Sequence, residues 1–292
     1  MRFKIFISII LTIVLSCMTL SCERDPQFVK GEYMYENHNL NYLSEFLIRW
    51  ENDDLSEDIK NTVWVIVNSM CFVEGGTFTM GADNASFPDE KPTHKVSLSD
   101  FYLSKVTITQ KQWATIMGEN PLWSEEYGKG DDYPANFISY KQAQQFISLL
   151  NKYSGLEFRM PTEAEWEYAA CGGKHSHEYL FCGSNNANEV AWHNGNSNGR
   201  MHVIETLSPN ELGLYNMSGN VWEWCSDWYG SYTSNTENNP TGPSTGTKRV
   251  VRGGSFTYEA KYCRCKTRNC LPEANQSVAV GLRLAINANK SE

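Results

Sequence analysis

Apolar residues recur at helical spacing in three stretches of this chain. In "TQKQWATIMG", Thr109 precedes a stripe of Trp113, Ile116 and Met117, with Gln112 three residues after Thr109. That pattern is a capping box: the Thr hydroxyl and the Gln side chain satisfy each other's backbone N–H groups, and Gly118 marks the end. In "SYKQAQQFISLLNKYSG", Ala143, Phe146, Ile147 and Leu150 fall on one face between Ser139 and Gly155. In "PTEAEWEYAACGG", Thr162 and Glu165 form a second box, and Trp166, Ala169 and Ala170 are predicted to be buried. The run from Val63 to Gly81, "VWVIVNSMCFVEGGTFTMG", is rich in β-branched and aromatic residues and broken by Gly75-Gly76. It predicts paired strands around a turn. Beyond Gly172 the helical pattern stops. From there to Arg283 the chain is rich in Gly, Asn and Ser, with strand-like pieces such as "RVVRGGSF" and no internal repeat. The pattern predicts an α+β domain over residues 63–288, with a loop-dominated second half.

The N-terminus has a different character. A basic tip precedes an apolar run from Ile5 to Leu20. This run is short for a membrane span and has the flanks of an export signal. It ends in "LSC" at Cys17 and again at Cys22, which resembles a bacterial lipoprotein signal with a lipidated cysteine. Residues 1–21 are therefore expected to be a signal peptide and Cys22 the lipidated residue. Cys17 is the second candidate, and an ordinary cleaved signal without lipid is the plainer reading. Residues 22–62 read as a polar tether, with Tyr42, Phe46, Leu47 and Trp50 spaced for a short amphipathic helix.

The 292 residues include nine Trp, fifteen Tyr and thirteen Phe, so large rings are expected to fill much of the core. The formal net charge is −9, and losing Arg2 and Lys4 with the leader makes the chain more acidic still. Such a chain is a poor binder of nucleic acid. Export would also let cysteines pair. With Cys22 lipidated, Cys71, Cys171, Cys182, Cys225, Cys263, Cys265 and Cys270 remain, an odd set.

Several local patterns carry little chemistry. His175 and His177 lack a third ligand at metal spacing, and His94 reads as a strand residue. The glycines of "VEGG" and "RGGS" sit in turns rather than in a strand–GxGxxG–helix setting. Ser255 has no recognisable His/Asp partner and reads as a cleft-lining residue rather than a nucleophile. "CRC" is more suggestive. On a strand Cys263 and Cys265 would face one side, and Arg264 and Lys266 would favour thiolates.

Longer strings point to a family. "VEGGTFTMG", "DEKPTHKVSLSDFYLSKVTITQKQW", "FRMPTEAEWEYAACGG", "NELGLYNMSGNVWEWCSDWYG", "RVVRGGSF" and "VGLRLA" occur in that order from about residue 70 to 286. In this the chain resembles the sulfatase-modifying-factor family, whose founding members are formylglycine-generating enzymes. The resemblance implies a compact, loop-rich fold related to C-type lectins. It also implies oxidation of a substrate cysteine by molecular oxygen at copper(I) held between two thiolates, a soft-ion site. The family places those cysteines five residues apart, the first three positions after the serine of Gly-Gly-Ser. Here the positions are Tyr258 and Cys263, so one thiolate is replaced by a phenol, a hard and protonated donor near neutral pH. Cys265 is the remaining candidate for a second copper ligand. By the resemblance Ser255 and Trp222 line the cleft. Cys225 is offered as a disulfide partner for Cys263, while Cys265–Cys270 and Cys171–Cys182 stay equally open. The resemblance further implies calcium in "NMSGNVWE", held by the Asn216 side chain, the Gly219 and Val221 carbonyls and the Glu223 carboxylate, all oxygen donors suited to a hard cation.

Two functions follow as expectations. One is a cell-envelope lipoprotein whose domain binds a peptide or protein partner, or serves in envelope assembly, without the founding chemistry. The other is an active copper- and oxygen-dependent oxidase that makes formylglycine in exported sulfatases. The three-His iron site of a sister branch has no counterpart here.

Overall fold

The structure, a computed structural model, describes residues 55–83 and 87–288. The expected signal, Cys17, Cys22 and the expected tether helix lie outside the described residues.

The first element departs from expectation. A helix, α1 (Glu57–Asn68), runs through Val63 to Val67, where β-branched residues predict a strand. Its start lies inside the expected tether. The Ser56 hydroxyl caps it by accepting from the Ile59 N–H, and Glu57 and Asp58 complement the dipole. Val63, Ile66 and Val67 are spaced for one helical face and are buried, so packing overrides their β-propensity.

Strands β1 (Met70–Val73) and β2 (Thr77–Met80) do flank Gly75-Gly76, but they do not pair with each other. β3 (His94–Ser97) pairs with β2, and β4 (Phe101–Ser104) pairs with β1, both antiparallel. The reason is a close backbone crossing. Gly75 donates to the Asp100 carboxylate at 2.7 Å, and a Cβ on it would lie 2.3 Å from the Leu98 carbonyl. The Gly75 link thus packs on the 98–100 link instead of turning a hairpin.

The three periodic stretches are α2 (Gln110–Met117), α3 (Tyr140–Ser154) and α4 (Glu163–Ala170). Each has a reciprocal capping box, Thr109/Gln112, Ser139/Gln142 and Thr162/Glu165. Trp113 stacks on Phe146 at 5.1 Å and joins α2 to α3, while Ala143, Phe146 and Leu150 are buried and Ile147 is half-buried.

The second half holds a short helix, α5 (Ala187–Val190), and short strands linked by loops. In order these are β5 (Ala191–Trp192), β6 (Ser218–Gly219), β7 (Trp222–Trp228), β8 (Glu237–Asn238), β9 (Arg249–Arg252), β10 (Arg268–Leu271), β11 (Val280–Gly281) and β12 (Ala285–Asn287). The sheets run β1-β4-β12, β10-β9-β7-β11, β2-β3-β8 and β5-β6. Since β12 pairs with β4, the last strand closes the sheet that β1 opens. The fold is the expected α+β, loop-rich arrangement.

Helix α4 is buried along its whole length, including Glu163, Glu165 and Glu167. Each carboxylate has an arginine. Arg268 forks Glu163 at 2.6 and 2.8 Å, Arg159 meets Glu165 at 2.7 Å, and the fully buried Arg252 pairs with Glu167. Burial opposes the charge on Glu163, but Arg268 and Arg252 outweigh it and hold its pKa below the ordinary value. Asp227 on β7 has no arginine partner among the described residues. It accepts from the Glu163 N–H at 3.0 Å, and burial, reinforced by the Glu163 charge, pushes its pKa up to about 7.

A carboxyl raised in the native state contributes stability at acid pH that is lost as pH rises through about 7. Asp227→Asn, which keeps an oxygen acceptor, is therefore expected to gain on the wild type between pH 4 and pH 8. The gain should be about 2–4 kcal/mol, read from urea denaturation at several pH values. A difference independent of pH would refute this account of Asp227.

Candidate functional site

Strand β9 delivers Arg252 and then Gly253-Gly254, both with positive φ. A Cβ on Gly254 would come within 2.6 Å of the Cys263 sulfur, so glycine lets the 254–258 loop close over that cysteine. The loop is pinned by its backbone. Phe256 donates to the Asn220 carbonyl at 2.9 Å, and the Tyr258 carbonyl accepts from Asn194 at 2.9 Å. Ser255 is fully buried, and its hydroxyl lies 3.0 Å from that of Thr257.

Cys263 follows a single 3-10 turn at Ala260–Tyr262, and residues 263–266 continue as bends and turns. The expected strand geometry for Cys263 and Cys265 is thus absent, because the chain must curl to carry Tyr262 outward and Cys263 inward. Burial pushes the Cys263 thiol up to about 12; the Ser255 N–H bonds to the sulfur and works against the rise, and nearby Cys182 adds to it. Near neutral pH this sulfur is a thiol, not a thiolate. The Cys265 sulfur lies 3.4 Å from that of Cys182 and 3.7 Å from the Ala170 carbonyl. Cys225, in the middle of β7, is surrounded by the charges of Asp227, Glu163, Arg252 and Glu223. Cys182 makes its sulfur–sulfur contact with Cys265, and it also acts on Cys263 through its charge. The phenol of Tyr258 is a hard donor and does not fit the family's copper(I) thiolate pair, which leaves Cys263 as the one sulfur at those two positions.

Around Tyr258 the structure assembles an aromatic row. The Tyr258 ring, 37% exposed, packs edge-on to Trp222 at 5.4 Å and to Tyr262 at 5.5 Å. Tyr262 stacks on Phe87 at 5.1 Å, and the Arg264 guanidinium sits 5.1 Å above Phe87, anchored by the buried Glu90. Trp222 is buried, and its Nε1–H has no hydrogen-bond partner among the described residues. Ser255, Trp222, Tyr258 and Cys263 therefore share one locality. Phe87 and Tyr262 escaped the sequence reading, because nothing local in the chain links Phe87 to the Tyr258 loop, and Arg264, expected to favour thiolates, instead pairs with Glu90 over Phe87.

The segment "NMSGNVWE" curls through Asn216, Gly219 and Asn220, all in the left-handed region, and enters β7 at Trp222. The Asn216 side-chain oxygen accepts from the Glu205 N–H at 3.3 Å and has a second lone pair. Fully buried Glu223 accepts from Arg283 Nη2 on Oε1, and from Arg283 Nε and Trp166 Nε1 on Oε2. A carboxylate has about four acceptor directions, so one on Oε1 stays open for a hard cation. The donor types fit calcium, with Glu223 limited to a single oxygen and its charge already balanced by Arg283. His175 and His177 lie on an exposed loop, where His177 meets Glu211 at 3.3 Å.

Comparison with known proteins places this geometry in a family. Residues 56–288 match the sulfatase-modifying factor enzyme 1-like domain, and the chain belongs to that family. The formylglycine-generating enzyme of Streptomyces coelicolor is 32% identical over 74% of this chain and 88% of its own. The chaperone protein LppX of Paenibacillus barcinonensis is 30% identical, with 65% and 79% covered. Among solved structures, Treponema denticola variable protein 1 superposes with a TM-score of 0.69 at 28% identity, covering 75% of this chain and 94% of that one.

Arg283 also donates to the Ser104 and Tyr215 carbonyls, at 2.6 and 2.7 Å, so it ties β4, the 215 loop and β7 together. Glu223→Ala is expected to cost about 3–5 kcal/mol in urea denaturation, because it leaves Arg283 buried and uncompensated. The double variant Glu223→Met/Arg283→Met should cost less than either single change. A double variant as damaged as the sum of the singles would show that the pair is not coupled.

Proposed function

We propose that the domain is a binding module of an exported, lipid-anchored envelope protein. It holds an extended peptide or a protein partner along the Trp222–Tyr258–Tyr262–Phe87 row. Tyr258 carries the reading: the position where the founding chemistry needs a thiolate holds a half-exposed phenol braced between two other rings. Rigid rings with a polar tip are good anchors for a partner, since they bring contact area at little entropic cost. The buried Trp222 ring braces Tyr258 from the core side, so the exposed part of the row keeps its orientation. That a relative is named a chaperone protein accords with a protein-binding role. The apolar run ending at Cys22 supports export and lipid attachment.

The second reading is an active formylglycine-generating oxidase, favoured by the retained Cys263 and by enzymes among the relatives. One experiment separates the two. Reduced protein is titrated with copper(I) against a competing chelator, and a Cys-x-Pro-x-Arg peptide is incubated with it under oxygen. The expected result is no Cys263-dependent stoichiometric copper and no aldehyde in the peptide mass. In parallel, Tyr258→Ala should weaken capture on an array of extended peptides by roughly tenfold or more. Aldehyde formation that is lost in Cys263→Ser would establish the oxidase instead.

We also propose calcium at Asn216, Gly219, Val221 and the open direction of Glu223, where it would brace the curled loop that carries Trp222. Chelation is expected to lower the melting temperature by about 5 °C, and Asn216→Ala should abolish that response. An unchanged melting temperature would remove the stabilising ion from the account.

A further inference from the structure

Three cysteines far apart in the sequence converge behind the aromatic row. Cys171 is the C-cap of α4, Cys182 lies in the loop before α5, and Cys265 lies in the turn after Cys263. The Cys265 thiol is engaged by both of the others, and its sulfur is 3.4 Å from that of Cys182. Cys182 and Cys265 are buried, whereas Cys171 is partly exposed. The backbone holds the two loops together independently of the sulfurs. Cys265 N–H donates to the Leu180 carbonyl at 3.1 Å, and the Ser218 hydroxyl accepts from the Cys182 N–H at 3.1 Å while donating to the Cys263 carbonyl at 2.7 Å.

We infer that Cys182 and Cys265 are the sites of a disulfide cross-link, and that Cys171 is the solvent-facing thiol through which oxidation enters. The approach needed is small: sulfurs at 3.4 Å close to a bond of about 2.05 Å by adjusting side-chain torsions, because main-chain hydrogen bonds already set the separation. The oxidant is an external disulfide, small or protein-borne. Cys171 thiolate attacks one of its sulfurs, forming a mixed disulfide and expelling one thiolate. Cys265 displaces the second thiolate, giving Cys171–Cys265. Cys182 then attacks Cys265 and returns Cys171 as a thiol. The protein loses two protons and two electrons in sum, and the external disulfide becomes two thiols. Burial of Cys182 and Cys265 explains why an entry thiol is needed, since a bulky oxidant cannot reach either sulfur.

The bond would fasten the Leu180 loop to the turn that carries Cys263 and Arg264, and so fix the back wall of the aromatic row. It also differs from every pairing the sequence offered, Cys225–Cys263, Cys265–Cys270 and Cys171–Cys182.

The test uses the wild-type chain. Reduced protein is equilibrated with oxidised glutathione, quenched with an alkylating agent, digested with trypsin without reduction and mapped by mass spectrometry. Arg264 lies between Cys263 and Cys265, so trypsin separates the two. The expected product links Cys182 to Cys265 and leaves Cys171 alkylated, with a rise in melting temperature of roughly 5 °C or more. In Cys171→Ser the same bond should form at least tenfold more slowly. Cys265 fully alkylated after equilibration would overturn the inference, as would its linkage to Cys270. Bond formation at an unchanged rate in Cys171→Ser would overturn the entry role.

Discussion

The fully buried pair of Glu223 and Arg283 is the constraint on which the rest of the second half depends. Apart from the seven-residue β7, the strands of the second half are two to four residues long and supply few ladder bonds, so this loop-rich half needs other cross-ties. Arg283 reaches β7, β4 and the 215 loop at once, and Trp166 brings α4 to the same carboxylate. Such a pair is costly to desolvate, and it is tolerated because Glu223 accepts three hydrogen bonds and Arg283 also donates to two carbonyls. It specifies which loops meet more than it adds net stability.

The α4 carboxylates repeat this logic around Arg252 and Arg268. Strand β9 ends at Arg252, so the ion pair with Glu167 fixes where Gly253-Gly254 turns and hence where the Tyr258 loop lies. The candidate site is carried on a buried electrostatic frame, not on a long sheet. That arrangement lets the residue at position 258 vary while the frame beneath stays intact. Scaffold and chemistry are held by different residues, and one can change without the other.

The sequence was most legible where local rules decide. Thr109, Ser139 and Thr162 cap helices because the partners of their hydroxyls lie three residues away, inside the same segment. Val63 to Val67 misled for the opposite reason: their strand preference is small beside the burial of one helical face against the core. Gly75-Gly76 looked like a hairpin turn, yet its close crossing with Leu98 is a tertiary contact that no local pattern encodes.

The candidate site divides in the same way. The strings around Ser255, Tyr258 and Glu223 revealed the family, because that is a matter of residue identity in order. Which sulfur faces which, and that Phe87 and Tyr262 extend the row from Tyr258, depend on contacts between segments distant in the chain. The sequence by itself determined the helix caps, the α+β class and the family. The tertiary structure alone decided strand partners, cysteine neighbours and the burial that raises the pKa of Cys263 and Asp227, since burial and long-range pairing exist only once the chain has closed on itself.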